Sequence, residues 1–164
     1  DTMLGKALGA PSGVFTSEMG VWNRPEVWAA EIPAANGITN ARSLARMYAG
    51  LCGPVDGAAA APLLTSEQIA AASVTQTSGP DQVLFLETTI GLGFWTASPF
   101  APYGGRKAIG HGGAGGSLGF MDPEHGIGFG YVMNRMLQNL TGDPRTRTLV
   151  SALYAAIGVE PAFV

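Results

Sequence analysis

The stretch GHGGAGGSLGFMDPEHGIGFGYVMN, residues 110–134, decides the fold of this chain. Runs of strand-forming residues alternate in it with turns: a glycine-rich turn follows His111, and 122–126 has the composition of a tight hairpin connection. From 127 to 133, large apolar residues alternate with glycine or valine, so one face of this strand is nearly bare. The stretch therefore predicts an antiparallel meander, with another element packed closely on its glycine face.

Outward from this stretch, apolar residues at spacings of three and four predict three helices. The first covers about 40–51. The second follows Thr65, which has capping-box spacing to Gln68. The third covers 144–157, with Asp143 as its N-cap and a proline at its first position.

Further strands are predicted from β-forming runs, at 83–86, 90–95, 108–111 and 117–121. Strands and helices together predict an α+β fold, in which an antiparallel sheet of three to five strands is covered by the C-terminal helix. We expect one incomplete domain in two parts: loop and helices of a helical subdomain in 1–75, and the strands with the last helix in 76–164. In isolation it would leave a sheet face and an edge uncovered.

Residues 1–38 are punctuated by proline and glycine so often that they predict a long loop. A loop of this length either lines a site or wraps a partner. Its large apolar residues are then pocket walls, or they simply pin the loop to the core. These residues are Phe15, Met19, Trp22 and Trp28.

Composition excludes several function classes. Of the 164 residues, 46% are hydrophobic and only 13% are charged, and the net charge is −3. Nothing in this balance marks a surface for nucleic acid, and no apolar run is long enough to span a bilayer. No signal peptide is visible, which slightly favours the cytoplasm, but the compartment stays open. The low surface charge suggests faces covered by other protein.

The glycine-rich turn is the best candidate for chemistry. Six of the eleven residues in 110–120 are glycine, a density that leaves main-chain N–H groups reachable beside the ring of His111. Amides next to one ionisable ring are the minimum apparatus for holding an oxyanion. The alternative is a merely flexible loop.

Two other interpretations of the same region are weaker. Residues 115–119 match the G-x-S-x-G nucleophile elbow, but that motif needs a helix after Ser117, and here a strand is predicted. Neither His111 nor His125 has metal-ligand spacing to a suitable partner, so we expect no metal site and no cofactor. His125 is then a turn residue.

The run 110–123, followed by 128–134, resembles the C-terminal strands of β-lactamase-related serine hydrolases, especially the family VIII carboxylesterases. In these proteins a Lys-Thr-Gly, His-x-Gly or Trp-Gly-Gly tripeptide lies on the strand that lines the active site. The segment 33–38 and the helix 40–48 are similar to the stretch between helical subdomain and sheet in the same esterases. The resemblance thus implies the C-terminal half of a β-lactamase or transpeptidase-like fold.

Residue by residue, the resemblance places His111 at the cation of the third motif and gives Ala114 the backbone N–H that completes the oxyanion hole. His111, Gly113 and Ala114 are predicted to contribute to catalysis, whereas Gly112, Gly115 and Asn134 are predicted to bind substrate. Histidine in place of lysine weakens a fixed positive charge, which favours esters over carboxylate-bearing β-lactams.

The same family takes its nucleophile from a Ser-x-x-Lys motif and a second site from Tyr-x-Asn or Tyr-x-Ser, and neither is present here. Ser43 has Arg46 at the lysine position, and arginine cannot serve as the base. We therefore expect the nucleophile upstream of this chain, which alone would be inactive and would need its missing N-terminal half or a second subunit. The alternative is a non-catalytic binding or assembly module, or an inactive fragment.

Overall fold

The structure is a computed structural model, which describes residues 2–9, 20–55, 57, 62–139 and 141–163. The chain divides into two compact units. The first comprises Asp1–Thr39 with Pro80–Leu86, and the second comprises Asn40–Gly79 with Glu87–Val164. The boundary predicted at residue 75 does not follow this grouping, because the helices after residue 40 belong to the same unit as the sheet.

In the first unit, the single long loop predicted for 1–38 is wrong. The segment contains helix α1 (Met3–Gly9), a 3₁₀ turn (Val21–Asn23) and helix α2 (Pro25–Trp28). Proline at the first position of α2 starts that helix with its φ already set.

The two described tryptophans of this segment are not core anchors. Trp22 is 37% exposed and Trp28 is 50% exposed, and the Trp28 indole N–H donates to the Trp22 carbonyl at 2.7 Å. The predictions for Phe15 and Met19 lie outside the described residues. The strand predicted at 83–86 is also wrong, because Asp81 Oδ1 accepts the N–H groups of Val83 and Leu84 and bends the chain into a turn.

The second unit is built on a six-stranded antiparallel meander in which each strand pairs with the next along the chain. The strand predicted at 90–95 is instead a hairpin, since Gly91 N–H donates to Phe94 O and Gly93 has a φ of +80°. The remaining predicted strands are confirmed, although the sheet has more than five. The strands are β1 (Thr77–Pro80), β2 (Glu87–Ile90), β3 (Trp95–Thr96), β4 (Ile109–Gly112), β5 (Leu118–Asp122) and β6 (Ile127–Tyr131).

All three predicted helices are present in this unit: α3 (Ala41–Cys52), α4 (Ser66–Ala72) and α5 (Pro144–Ala156). Asn40 caps α3, the capping box of Thr65 and Gln68 begins α4, and Asp143 caps α5. No helix in the described ranges is long and apolar enough to cross a bilayer.

Helices pack on both faces of the sheet, whereas the sequence led us to expect one face without cover. On one face α3 lies directly on β6, and bare glycines allow its main chain to approach. On the other face α5 packs against the sheet. The core on the α3 side contains Tyr48, Leu51, Ala72, Ile109 and Met121; the core on the α5 side contains Tyr103, Leu118, Phe120, Val150 and Tyr154.

A buried polar network fixes α5 to the end of β5. The Tyr154 hydroxyl donates to Asp122 Oδ2 at 2.5 Å, and the same oxygen lies 2.7 Å from His125 Nδ1. Both Tyr154 and Asp122 are fully buried. Burial, and then the hydrogen bond to Asp122, raise the pKa of Tyr154, so this phenol stays a donor at all ordinary pH values.

Candidate active site

The predicted site residues gather at one edge of the sheet. β4 ends at Gly112, the turn 113–117 follows, and β5 begins at Leu118, which is paired with Gly112. Because β6 runs parallel to β4, its C-terminal end reaches this same edge. The predicted site residues 111–115 therefore form one continuous segment at this edge. Asn134 is exposed and lies three residues beyond the end of β6.

His111 presents an exposed ring at this edge. It is paired with Gly119, whose α-carbon faces Tyr48 and Leu44 of α3, so the His111 side chain projects from that face of the sheet. The ring of Trp95 meets it edge-on, with centroids 5.5 Å apart.

The hydrogen bonding of His111 defines what its ring can do. Nδ1 lies 2.5 Å from the Gly112 carbonyl, which can only accept, so Nδ1 carries a proton. In the neutral ring Nε2 is then an acceptor, and it donates only when the ring is protonated. A neutral ring held in this way therefore cannot donate from Nε2 to an ester carbonyl.

Most amides of the glycine turn are engaged within the chain. Gly113 N–H donates to Ser117 O at 2.8 Å, Gly115 N–H to Asn139 O at 2.9 Å and Gly116 N–H to Gly113 O at 3.1 Å. Ala114 is exposed, and its N–H has no acceptor within the described part of the chain. The expected bare main chain is thus largely engaged, and the N–H of Ala114, which has no such acceptor, belongs to the residue predicted to complete the oxyanion hole.

The glycines of the turn are required by its construction. Gly115 and Gly116 have φ values of +87° and +119°, which L side chains rarely adopt. A methyl group on Gly113 would collide with Ser117 Oγ, and one on Gly116 would collide with the Asp143 carboxylate. Gly115 was predicted to bind substrate, but its N–H and C=O are both used to hold the turn.

An ion pair at the start of α5, between Asp143 and Arg145, is hydrogen-bonded to the glycine turn. The sequence analysis identified only one of these two residues. Asp143 appeared only as an N-cap; Arg145 was not singled out. The Arg145 guanidinium donates to Asp143 at 2.9 and 2.6 Å and to the Gly115 carbonyl at 3.0 Å. Hydrogen bonds from Arg145 lower the pKa of Asp143 to about 2. The only sequence signal was two opposite charges beside the helix-starting Pro144.

The two weaker interpretations can be placed on the structure. Ser117 is followed by β5 and not by a helix, so it lacks the geometry of a nucleophile elbow. Asp122, Glu124 and His125 do bring one possible ligand atom each within 4.8 Å of one another. The bonds of Asp122 to Tyr154 and His125 account for its burial without a metal.

The sequence of the chain is similar to those of known proteins. The sequence profile of the beta-lactamase family matches residues 5–153. A Mycobacterium tuberculosis protein named esterase/beta-lactamase LipL is 38% identical over 115 residues, which make up 68% of this chain and 25% of that protein.

Solved structures show the same fold. A family VIII carboxylesterase is 32% identical with a TM-score of 0.78, covering 93% of this chain and 40% of that one. EstA from Arthrobacter nitroguajacolicus Rue61a is 36% identical with a TM-score of 0.77, covering 85% of this chain and 38% of that one. A penicillin-binding protein homolog from Caulobacter crescentus is 37% identical with a TM-score of 0.76, covering 93% and 40%. The chain thus spans well under half the length of each of these relatives.

Proposed function

The chain belongs to the beta-lactamase family, and from that premise we propose that it supplies one wall of the active site of a serine hydrolase acting on esters. The observation that carries the proposal is the N–H of the exposed residue Ala114, which has no acceptor among the described residues and follows the exposed His111 by three positions. A fixed main-chain donor of this kind stabilises the negative charge that develops on an acyl carbonyl oxygen.

The reaction proceeds through an acyl-enzyme. A serine oxygen supplied by a Ser-x-x-Lys motif upstream of this chain bonds to the acyl carbon, and the carbonyl oxygen becomes an oxyanion held by Ala114 N–H. The lysine of that motif takes the serine proton and passes it to the alcohol oxygen as the bond to the acyl carbon breaks and the alcohol leaves; water then adds to the acyl carbon, the acid is released and the serine regains its proton. The missing N-terminal half or a second subunit is thus the required partner.

His111 acts at the same wall through Nε2. Because Nδ1 is held by the Gly112 carbonyl, Nε2 is the atom that can meet substrate or water. It accepts a proton when the ring is neutral and donates one when the ring is charged. A ring without a permanent charge favours neutral esters over carboxylate-bearing β-lactams, and Asn134 lies at the same edge of the sheet as a further contact.

The test is hydrolysis of short-chain p-nitrophenyl esters by the gene product that includes the upstream region. Ala114→Pro removes the N–H and should lower kcat by about 10²–10³-fold, the usual effect of losing one oxyanion donor. The matched control, Ala114→Ser, retains the N–H and should keep kcat within about threefold. Circular dichroism checks that both variants are folded.

The rival function is a binding or assembly module built on the same turn. It predicts no turnover by the complete gene product and an effect of His111→Ala on partner affinity alone. Equal rates for folded Ala114→Pro and Ala114→Ser would refute the role of the Ala114 N–H as an oxyanion donor, whereas absence of ester turnover by the complete gene product would refute the hydrolase function itself.

A further inference from the structure

Arg145 ties three separate segments together behind the glycine turn. Its guanidinium donates to the Gly115 carbonyl at 3.0 Å and to the Arg135 carbonyl at 2.8 Å. The same guanidinium donates to both carboxylate oxygens of Asp143 at the start of α5. One planar fork therefore joins the turn, the segment after β6 and the first turn of α5.

Asp143, the partner of Arg145, is itself buried and hydrogen-bonded to other segments. The side chain is only 2% exposed, and its Oδ1 accepts the Arg145 backbone N–H at 2.8 Å as the cap of α5. Its Oδ2 accepts from the Asn139 side-chain Nδ2 at 3.3 Å, and the backbone carbonyl of Asn139 accepts the Gly115 N–H. Gly116 leaves no space for a β-carbon against this carboxylate. The pair thus packs directly against Gly116 and is hydrogen-bonded to Gly115 and Asn139.

Ala114 is consequently held from both sides. The residue before it is fixed by the bond from Gly113 N–H to Ser117 O. The residue after it is fixed at its N–H by Asn139 and at its carbonyl by Arg145 and by the Leu137 N–H. With both neighbours pinned, the direction of the Ala114 N–H is set by bonds that do not involve Ala114 itself.

We propose that Arg145 is a positioning residue that orients the Ala114 N–H toward the reacting carbonyl oxygen; this rests on the function proposed above. A donor contributes to catalysis only if it already points where charge develops. Arginine suits the task because its planar group can serve several acceptors in one fixed geometry, whereas a lysine ammonium offers a single mobile point of charge.

The test variant is Arg145→Lys, which retains a positive charge beside the buried Asp143 and so protects the fold. Its matched control is Arg147→Lys in the same helix, whose guanidinium lies 4.7 Å from the Phe163 ring centroid. In the complete gene product, Arg145→Lys should lower kcat for p-nitrophenyl esters by about 10–100-fold, a fraction of the loss of a whole donor, with KM within about twofold. Arg147→Lys should leave both constants unchanged.

A second measurement does not depend on turnover. In the ¹⁵N-alanine-labelled chain, the Ala114 amide should show an order parameter near 0.85 in the wild type and in Arg147→Lys, and below about 0.6 in Arg145→Lys. If Arg145→Lys cannot be folded, Asp143→Asn replaces it, since it keeps the cap but removes the charge that holds the guanidinium.

The outcomes separate the two proposals. A wild-type enzyme with no ester turnover sinks the proposed function, and the Ala114 order parameter still decides whether Arg145 positions the turn. An active wild type in which Arg145→Lys matches Arg147→Lys in kcat and in the Ala114 amide overturns the role of Arg145 alone.

Discussion

Replacing Gly130 by alanine tests directly how closely α3 rests on the sheet. A β-carbon at this position of β6 would lie 2.6 Å from both the Ala41 carbonyl oxygen and the Ala45 amide nitrogen, and 3.0 Å from Leu44 Cβ. Ordinary contacts begin near 3.4 Å, so the two helix backbone atoms would have to retreat by about 0.8 Å. Side-chain rotation cannot relieve the clash, because both atoms belong to the main chain of α3.

The expected cost follows from that rigidity. Overpacking a well-filled interior by one methyl group costs about 1–3 kcal/mol. Gly130→Ala should fall at the upper end, about 3 kcal/mol, because the whole helix must move and its other contacts must loosen with it. Urea unfolding, monitored by tryptophan fluorescence, measures the change. The urea concentration at the midpoint should fall, and the dependence of the free energy of unfolding on urea concentration should stay constant.

The control is Gly37→Ala, where no atom lies within 4 Å of the new β-carbon and φ is not positive. This change should leave the free energy of unfolding unaltered or raise it by up to about 1 kcal/mol, because alanine restricts the unfolded chain. A loss below about 1 kcal/mol for Gly130→Ala would show that α3 is not seated on β6 as described.

Two further predictions concern the buried carboxylates. Tyr154→Phe removes the phenolic donor to Asp122 and should lower the free energy of unfolding by about 2 kcal/mol, the usual contribution of a hydrogen bond to a charged group. If calorimetry finds no change in stability, the hydrogen bond between Tyr154 and Asp122 is contradicted. The pKa of Asp143 falls from its ordinary value of 3.8 to about 2 on folding, so the unfolded chain binds more protons between these values. The stability from its pairing with Arg145 is therefore present above pH 4 and lost as the pH falls toward 2. A plot of the urea midpoint against pH should be less steep between pH 2 and 4 for Asp143→Asn than for the wild type. Identical slopes of the two plots in this range refute the assignment.

Local chemistry made much of the fold predictable. The caps Asn40, Thr65 and Asp143 act on amides two or three residues away, so their helices could be placed closely from the sequence. The alternation of 127–133 likewise predicted the strand and the close approach of another element, which the structure shows to be helix α3. The resemblance to β-lactamase-related hydrolases, and with it the α+β fold, is confirmed by the family match and the solved structures.

Failures came where a short-range competitor or a distant contact decided the outcome. The apolar run 83–86 has strand composition, but Asp81 offers its amides a side-chain acceptor and the chain turns instead. The support given to the glycine turn depends on Arg145 meeting Gly115 across thirty positions of sequence. No spacing rule reveals such a pair, whereas the glycine cluster it supports was conspicuous.

The construction of the turn limits what this chain contributes to catalysis. Gly113, Gly115 and Gly116 use their amides to hold the turn, so that of the amides of residues 113–116 only that of Ala114 has no acceptor in the described part of the chain. Oxyanion holes ordinarily combine two donors, one of them often the N–H of the nucleophile itself. On the proposed function, the segment that brings the serine must therefore also bring the second N–H. Arg145 and Asp143 would then fix one donor in advance, so that only the nucleophile's segment has to be placed against it when the active site forms.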